Sequence, residues 1–323
     1  MPPYPKHLET SARRTGNDYQ PLHDWLDNHP DHKAARHDLA ALAENRSYVK
    51  ETWGEEAVTE FFLHVAEDLL MKDTAALVNA GCPNEAVQHS LEVARKALEI
   101  ASRVKIPVDK HLLARGAIFH DLGKARTYGM EHGEIGAKMA EELGLEEAIR
   151  QIILKHIRGG LTEAEARELG LPVRDYTLRT PEEKIVIYAD RMVDIYTDGI
   201  VPGADEQKAE QDFVSILATY EKYGKNPATL QRYLALHAEI QGWMAWSTFP
   251  RSRPPPGDMG LSPCISPPET SFCFLPPEPS GCSPTGSSRW CWPCISRPQG
   301  WAQRVSGPFS PPPWPVIFSS PSG

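Results

Sequence analysis

The stretch "GAIFHDLGKARTYGMEHGEIGAKMAEELG", residues 116–144, sets His120 directly beside Asp121 at the end of an apolar run. A second histidine, His132, precedes apolar residues that recur at helical spacing until Gly144. The pattern predicts a helix, a turn that carries two candidate metal ligands, and a second helix that begins with a third. A histidine and an aspartate can also be neighbours by chance. The choice between a metal site and an ordinary turn therefore depends on the rest of the chain.

Amphipathic helices follow one another on both sides of this stretch. Pro83-Asn84 opens one helix, and Asp109 is placed to cap the next. Thr180-Pro181-Glu182-Glu183 combines an N-cap threonine, a proline at the first helical position and a glutamate at the third. We find neither an alternating strand pattern nor a βαβ rhythm. The predicted fold class is all-α, with a helical bundle as its main part.

The composition is that of a globular protein. The chain has 323 residues, and 41% of them are hydrophobic, which is enough for one large or two small domains. The net charge of -9 excludes a general nucleic-acid or membrane-surface binder, because no cationic excess neutralises phosphates. Neither a run of about 18 apolar residues nor a signal peptide is recognisable. We therefore expect a cytoplasmic protein that does not enter a membrane.

Three segments of different character are predicted. Residues 1–70 form a small His-rich helical module, residues 71–246 form the main helical domain, and residues 247–323 form a low-complexity tail. From Pro250 to Gly323 the chain carries 19 of its 30 prolines and no lysine, which no regular helix or strand tolerates. We expect the tail to be disordered and assign it no function. The abrupt change of composition is also compatible with a spurious extension of unrelated origin.

The first 70 residues hold six of the twelve histidines. Residues 30–54 have helical spacing, and His37-Asp38 repeats the dipeptide of the opening stretch. The pattern over residues 7–42 resembles a small uncharacterised bacterial family, which implies no activity. A metal site is one interpretation of four of the histidines, namely His7, His23, His32 and His37. Surface and capping positions are the favoured interpretation, because spacing alone seldom makes a site.

Polar residues on the apolar faces of the main helices point to a metal. Asp190 lies between Val186 and Val193 on the buried side of its helix, and Asp121 is flanked by apolar residues. A buried carboxylate without a partner is costly, so it requires a cation, hydrogen-bond donors or a metal. Taken singly, His89 and His156 are ordinary core histidines. Together with the aspartates, on helices that share a core, they can surround one point.

Imidazoles and carboxylates suit Mn, Fe, Ni, Co or Zn. The candidate ligands number six, which exceeds the need of one catalytic metal, so two ions are the more natural expectation. They are His89, His120, Asp121, His132, His156 and Asp190. The predicted cofactor is therefore one or two divalent transition-metal ions.

These residues form the pattern "H…HD…D", which resembles the HD superfamily of metal-dependent phosphohydrolases. The stretch from about residue 76 to 243 is also similar to a small HDIG-type subgroup, through "HDLGKARTYGMEHGEIGA", "KHIRGGLTEAEARELGLP" and "EEKIVIYADRMV". The resemblance implies a first metal held by His89, His120, Asp121 and Asp190. It implies a second metal at His132 and His156, with Asp121 as the bridge. Some two-metal members have two consecutive histidines where this chain has His156-Ile157, which leaves one or two metals open.

The resemblance implies hydrolysis of a nucleotide or another small phosphate ester by a metal-activated water. Asp121 and Lys124 would be the catalytic residues, with Lys124 as the cation that faces the phosphate. Arg126 and Arg158 would be further substrate-binding cations. Asp194, one turn after Asp190, would orient a ligand histidine or a water.

Two other functions remain open at this point. Some HD proteins use a di-iron site for oxygen-dependent cleavage, and others retain the fold as a non-catalytic ligand-sensing or interaction module. The second alternative is disfavoured because all the primary ligand residues are present. The expected partner is a small phosphorylated substrate, without general nucleic-acid binding or a membrane. The sequence makes no prediction of the oligomeric state.

Overall fold

The computed structural model of the protein describes residues 4–202 and 205–245. Within these residues it contains fifteen α-helices, three short 3-10 helices and no strand, which confirms the all-α prediction. The α-helices are α1 (Tyr4–Thr15), α2 (Gln20–Asp27), α3 (Pro30–His37), α4 (Leu42–Trp53), α5 (Glu55–Asn79), α6 (Asn84–Arg103), α7 (Lys110–Phe119), α8 (His132–Glu142), α9 (Glu147–Lys155), α10 (Glu163–Glu168), α11 (Pro181–Thr197), α12 (Glu206–Gln211), α13 (Phe213–Thr219), α14 (Glu221–Gly224) and α15 (Pro227–Ala245). The 3-10 helices are Leu39–Ala41, Leu122–Ala125 and Ile157–Gly159. The predicted tail, residues 247–323, lies outside the described residues.

The predicted caps fix two of the helix starts. The Asp109 side chain accepts a hydrogen bond from the backbone N–H of Leu112 at 3.0 Å, so α7 begins at the residue after Asp109. Thr180 and Glu183 form the reciprocal capping box that the sequence predicts, and Pro181 is the first residue of α11. His120 directly follows α7, and Asp190 lies within α11. The caps therefore determine how many helical residues separate each of these side chains from the start of its helix.

Helix α6 is the central helix of the bundle. It packs against α5, α7 and α11, and it also contacts α4. The apolar face that the sequence predicts on α6 is buried, namely Val87, Leu91, Ala94, Leu98 and Ala101. His89 lies at the margin of this face and is partly exposed. The burial of one face therefore holds α6 between its neighbours and leaves His89 at an edge that solvent reaches.

Helix α5 runs across the predicted boundary between residues 70 and 71. It packs against α4, α6 and α7, and the helices α1 to α15 belong to one compact unit. The division into a module of residues 1–70 and a domain of residues 71–246 stays a prediction. None of the described helices combines the length and the apolar character that a membrane span requires.

The histidines of the first 70 residues do not share one environment. His29 and His32 are exposed, as the surface interpretation expects. That interpretation is wrong for His7 and His23, which are buried between helices. His64, in the middle of α5, is also buried. The amphipathic helices that surround these histidines close over them, which the local spacing does not reveal.

Two glycines allow the turn after α7 to touch the start of α8. A Cβ atom on Gly123 would lie 1.9 Å from the backbone oxygen of His132. A Cβ atom on Gly136 would lie 2.8 Å from the backbone nitrogen of Gly123. Only glycine at both positions permits this backbone approach. The contact brings His132 close to the His120-Asp121 pair.

Candidate metal centre

The structure brings all six predicted ligand residues together from five helices. Each helix contributes one residue, except that the end of α7 supplies an adjacent pair. The six residues are His89 on α6, His120 and Asp121 at the end of α7, His132 at the start of α8, His156 at the end of α9, and Asp190 in the middle of α11. We refer to these six residues as the HD centre. The six residues are spread over about a third of the chain, from His89 to Asp190. Only the packing of the bundle makes them neighbours.

One half of the HD centre consists of His89, His120 and Asp190. The Nε2 atom of His89 lies 2.9 Å from Oδ1 of Asp190, and Nε2 of His120 lies 3.5 Å from the same oxygen. One ligand atom from each of the three residues falls within 4.8 Å of the other two. The three side chains can therefore bind one metal ion together.

The other half consists of Asp121, His132 and His156. Oδ1 of Asp121 lies 3.3 Å from Nε2 of His132 and 3.4 Å from Nε2 of His156. The second oxygen of Asp121, Oδ2, faces the first half, at 3.2 Å from His120 and 3.8 Å from His89. The Asp121 carboxylate thus lies between the two halves, with one oxygen directed to each.

Backbone hydrogen bonds orient three of the imidazoles. The Nδ1 atoms of His120, His132 and His156 each lie within 2.6 to 2.7 Å of a backbone carbonyl oxygen three residues earlier. A carbonyl only accepts, so each Nδ1 carries a proton, and in the neutral imidazole Nε2 is then the atom with the lone pair. The Nε2 atoms of His132 and His156 face each other at 2.8 Å. The buried Nε2 of His120 has no hydrogen-bond partner in the described part of the chain. Lone pairs that converge in this way fit a metal ion.

The charges of the HD centre also favour a cation. Burial alone would raise the pKa of Asp121, but the adjacent imidazole of His120 holds that pKa well below its usual range. The pKa of Asp190 is likewise held well below its usual range, against burial, by the nearby imidazoles of His120 and His89. Burial lowers the pKa of His120, whereas the carboxylates of Asp121 and Asp190 together raise it, to about 10. Two buried carboxylates therefore stay ionised and attract positive charge.

Lys124 lies at the edge of the HD centre. Lys124 belongs to the 3-10 helix Leu122–Ala125, which directly follows Asp121. Its Nζ lies 2.5 Å from Oδ2 of Asp121. Burial lowers the pKa of Lys124 and the Asp121 carboxylate raises it, with a net upward shift, so the ammonium is charged at neutral pH. The side chain is partly exposed. Its predicted contact with a phosphate stays a prediction.

The two predicted arginines lie apart from the six ligand residues. Arg126 is exposed and donates hydrogen bonds to the backbone oxygens of Ala80 and Ala125. Arg158 is partly exposed and occupies a left-handed conformation, with φ of 51°, two residues after His156. Within residues 4–202 and 205–245, neither guanidinium group forms an ion pair or a hydrogen bond with the HD centre. Their substrate-binding roles stay predictions.

Asp194 contacts Arg191, which is not among the predicted site residues. Its Oδ2 lies 3.1 Å from Nη1 of Arg191, and Nη2 of Arg191 donates to the hydroxyl of Tyr233. Burial and the nearby Asp190 carboxylate raise the pKa of Asp194 to about 6. The signal for Arg191 was its place directly after Asp190 and one turn before Asp194. The predicted role of Asp194 as an orienting residue stays a prediction.

Comparisons with known proteins agree with this geometry. A family model described as HD domain matches residues 86–193. This range includes all six residues of the HD centre, from His89 to Asp190. An uncharacterized protein of Methanocaldococcus jannaschii is 37% identical over 163 residues, which cover 49% of this chain and 89% of that protein. No solved structure matches the chain at a significant level.

Two further relatives carry named activities. A tRNA (cytidine(56)-2'-O)-methyltransferase of Picrophilus torridus is 38% identical over 154 residues, which cover 48% of this chain and 41% of that enzyme. A ribonuclease Y of Thermotoga maritima is 29% identical over 154 residues, which cover 47% of this chain and 26% of that enzyme. The chain thus spans less than half the length of both enzymes. The match over residues 86–193 and the extensive similarity to the archaeal protein show that the chain belongs to the HD domain family.

Proposed function

We propose that the protein is a metal-dependent phosphohydrolase that cleaves a phosphomonoester or phosphodiester bond of a nucleotide or another small phosphate ester. The observation that supports the proposal most is the position of Asp121. Its two oxygens face two different pairs of histidines, at 3.2 to 3.8 Å. A carboxylate in this position can bridge two divalent cations, which is an arrangement suited to phosphate chemistry.

The residues of the HD centre divide into two ligand sets that share Asp121. One ion would be held by His89, His120, Asp121 and Asp190, and a second by Asp121, His132 and His156. When bound, such ions supply a water of lowered pKa and polarise the phosphate oxygens. The donors suit Mn, Fe, Ni, Co or Zn. The backbone carbonyls that hold the three Nδ1–H groups keep the imidazoles oriented.

Lys124 is the residue that we assign to the substrate phosphate. Its ammonium lies on Oδ2 of Asp121, the oxygen that also faces His89 and His120. A divalent cation held at Asp121 would compensate this negative charge in place of Lys124. The partly exposed lysine would then be free to donate to an anionic phosphate oxygen. In this way one side chain balances the charge of Asp121 and later that of the substrate.

The substrate enters from the side of His89, Asp190 and Lys124. These side chains are partly exposed, whereas His120 and His156 are buried behind them. An opening of this kind admits the phosphate group of a substrate to the polar floor of the HD centre. The ribonuclease among the relatives supports a phosphodiester as one bond class to test.

The proposal is tested with the full-length chain, loaded in parallel with Mn, Co, Ni or Zn, or with ferrous iron without oxygen. We expect release of product from one or more nucleotides, nucleoside cyclic phosphates or short oligoribonucleotides. Asp121→Asn should lower kcat by at least about 100-fold, because it removes the shared anionic ligand. The matched control is His111→Gln, which changes an exposed histidine on the same α7 helix. Equal activity of the two variants, or no activity with any metal, would refute the proposal.

The oxygen-dependent alternative has its own signature. The pair of ligand sets around one carboxylate is also compatible with two iron ions. An iron-loaded protein that consumes oxygen stoichiometrically with substrate, and shows a mixed-valence EPR signal, would assign it to that class. Phosphate or nucleotide release without oxygen uptake assigns it to hydrolysis.

A further inference from the structure

A second set of histidines and aspartates lies in the N-terminal helices, outside residues 86–193. Asp27 ends α2, His37 ends α3, and His64 and Asp68 lie one turn apart in the middle of α5. One ligand atom from each of the four residues falls within 4.8 Å of the other three. We call this set the N-terminal cluster. It differs from the set of four histidines that the sequence suggested, since only His37 belongs to both.

The distances within the N-terminal cluster match those between the ligands of one metal ion. The Nε2 atoms of His37 and His64 lie 3.0 Å apart. These two atoms lie 3.4 and 3.6 Å from Oδ2 of Asp68, and each is 3.8 Å from Oδ1 of Asp27. Tetrahedral ligands with bonds of about 2.0 to 2.1 Å are themselves about 3.3 Å apart. The cluster thus has the dimensions of a four-coordinate site.

The tautomers direct both imidazole lone pairs into the N-terminal cluster. Nδ1 of His37 lies 2.8 Å from the backbone oxygen of Lys33, so it carries the proton and leaves Nε2 free. Nδ1 of His64 lies 3.1 Å from Nδ1 of His23, whose Nε2 in turn lies 3.0 Å from the hydroxyl of Ser11. The Ser11 hydroxyl donates its proton to Glu60 at 2.7 Å, so it accepts from the Nε2–H of His23. Nδ1 of His23 then accepts from His64, and Nε2 of His64 is free as well. Two lone pairs at 3.0 Å repel each other unless a proton or a metal ion lies between them.

Buried oxygens without hydrogen-bond partners point to the same conclusion. Both side-chain oxygens of Asp68 are buried and make no hydrogen bond within the described residues. Nε2 of His7 lies 3.2 Å from Oδ1 of Asp68 but lacks hydrogen-bond geometry. A buried carboxylate in this state is costly, and a bound cation removes the cost. Lys33 contacts the other aspartate, with its Nζ 2.6 Å from Oδ1 of Asp27.

We propose that Asp27, His37, His64 and Asp68 bind one divalent transition-metal ion that fastens α2 and α3 to α5. Two imidazoles and two carboxylates form a donor set for Zn²⁺ or a similar first-row ion. Four protein ligands fill a tetrahedral shell and leave no position for a substrate, which is typical of a structural site. The Asp27 oxygen has two lone pairs, so Lys33 and the ion can share it. The site is independent of the phosphohydrolase proposal.

The test counts zinc ions on the full-length chain in variants that separate the two sites. The background is the Asp121→Asn, His132→Gln, Asp190→Asn triple variant, which disables both halves of the HD centre. After removal of metals with a chelator, Zn²⁺ is titrated against a chromophoric competitor. We expect one equivalent to bind tightly in this background. Adding Asp68→Asn should abolish that equivalent, whereas adding His32→Gln, an exposed histidine on α3, should leave it unchanged.

A second variant and a second measurement test whether unfolding, and not the loss of a ligand, explains weaker zinc binding. His37→Gln changes the most exposed of the four ligands and is expected to preserve the helical circular-dichroism spectrum while lowering zinc affinity at least about 10-fold. Co²⁺ in the triple-variant background should give the intense visible absorption of a tetrahedral ion. Absence of tight zinc binding in the background, or equal binding by the Asp68→Asn and His32→Gln proteins, would overturn the proposal. Neither result depends on whether the HD centre hydrolyses phosphate esters.

Discussion

The HD centre and the N-terminal cluster have similar chemistry and different arrangements of ligands. Each holds two Nε2 atoms face to face, His132 with His156 at 2.8 Å and His37 with His64 at 3.0 Å. Each also has a lysine on one aspartate oxygen. The HD centre, however, has six candidate ligands around one shared carboxylate and an open edge, whereas the N-terminal cluster has four around a single point.

The arrangement of ligands, and not their exposure, separates two uses of the same residue types. His89 of the HD centre and His37 of the N-terminal cluster are exposed to nearly the same extent, at 18% and 17%. The four residues of the N-terminal cluster surround one point, whereas the HD centre has two partial ligand sets that share Asp121. A catalytic metal needs a free coordination position and a path for substrate, and a structural metal needs neither. The comparison therefore predicts that changes in the two clusters have different consequences.

The largest contrast is expected between Asp121→Asn and Asp68→Asn. The first removes the carboxylate that both halves of the HD centre share, so kcat should fall at least about 100-fold. The second removes an equivalent charge from a cluster whose four protein ligands leave no coordination position for a substrate, so kcat should change less than about 2-fold when the protein is folded. Initial rates at saturating substrate, with metal content measured in parallel, check both. A comparable loss of kcat in the two variants would mean that the sites are coupled.

The next contrast concerns the lysine at the HD centre. Lys124→Gln keeps a hydrogen-bond donor but removes the charge that we assign to the substrate phosphate. We expect kcat to fall by about 10- to 100-fold with the metal stoichiometry unchanged. The measurement is steady-state kinetics together with metal analysis of the same sample. If Lys124→Gln loses metal instead, the lysine serves to hold Asp121 and not the substrate.

The convergence of the six residues of the HD centre follows from the sequence for an identifiable reason. Each of its helices has a local signal, such as the caps of Asp109 and Thr180 or the apolar neighbours of Asp190. The side of each helix that faces the core follows from these signals. Once several polar residues are assigned to buried faces of helices that share a core, their convergence is the simplest way to satisfy them. The structure brings these residues together as that reasoning requires.

The N-terminal cluster was not predictable in the same way. Asp27 ends a short helix in the polar stretch "DNHPDH", which has the character of an exposed turn. Its approach to His64 depends on how α2 and α3 fold over α5, and no local pattern encodes that crossing. The readable signal was the spacing of His64 and Asp68, one turn apart on a largely apolar helix. The spacing of the histidines along residues 1–70 does not show which of them face the same point.

A smaller effect is expected where the two halves of the HD centre meet. Gly123→Ala would place a methyl group 1.9 Å from the backbone oxygen of His132, so the start of α8 must shift. We expect a loss of about 1 to 3 kcal/mol in the free energy of unfolding, and weaker binding of the metal ion at His132 and His156. Chemical denaturation and zinc titration measure the two effects. The matched control is Gly242→Ala in α15, where an added Cβ meets no atom within 4 Å.

The Gly123→Ala variant also sharpens the comparison between the sites. The N-terminal cluster lies on α2, α3 and α5, none of which contains the substituted turn. Its zinc equivalent should therefore remain while the second equivalent of the HD centre is weakened. Loss of the N-terminal equivalent as well would show that α5 transmits the disturbance between the two sites.

The smallest effect is expected at the lysine of the N-terminal cluster. Lys33 has its ammonium 2.6 Å from Oδ1 of Asp27, so a metal ion on the same oxygen meets like charge. Lys33→Gln removes this repulsion at a site where the lysine side chain is partly exposed, and a change of about 1 kcal/mol or less is typical of such pairs. We therefore expect zinc affinity to rise by up to about 5-fold, with kcat unchanged. Competition titration in the triple-variant background measures the affinity. A fall in affinity would instead mean that Lys33 holds Asp27 in position for the metal ion. Lys33 would then serve the ligand, whereas Lys124 is assigned to the substrate.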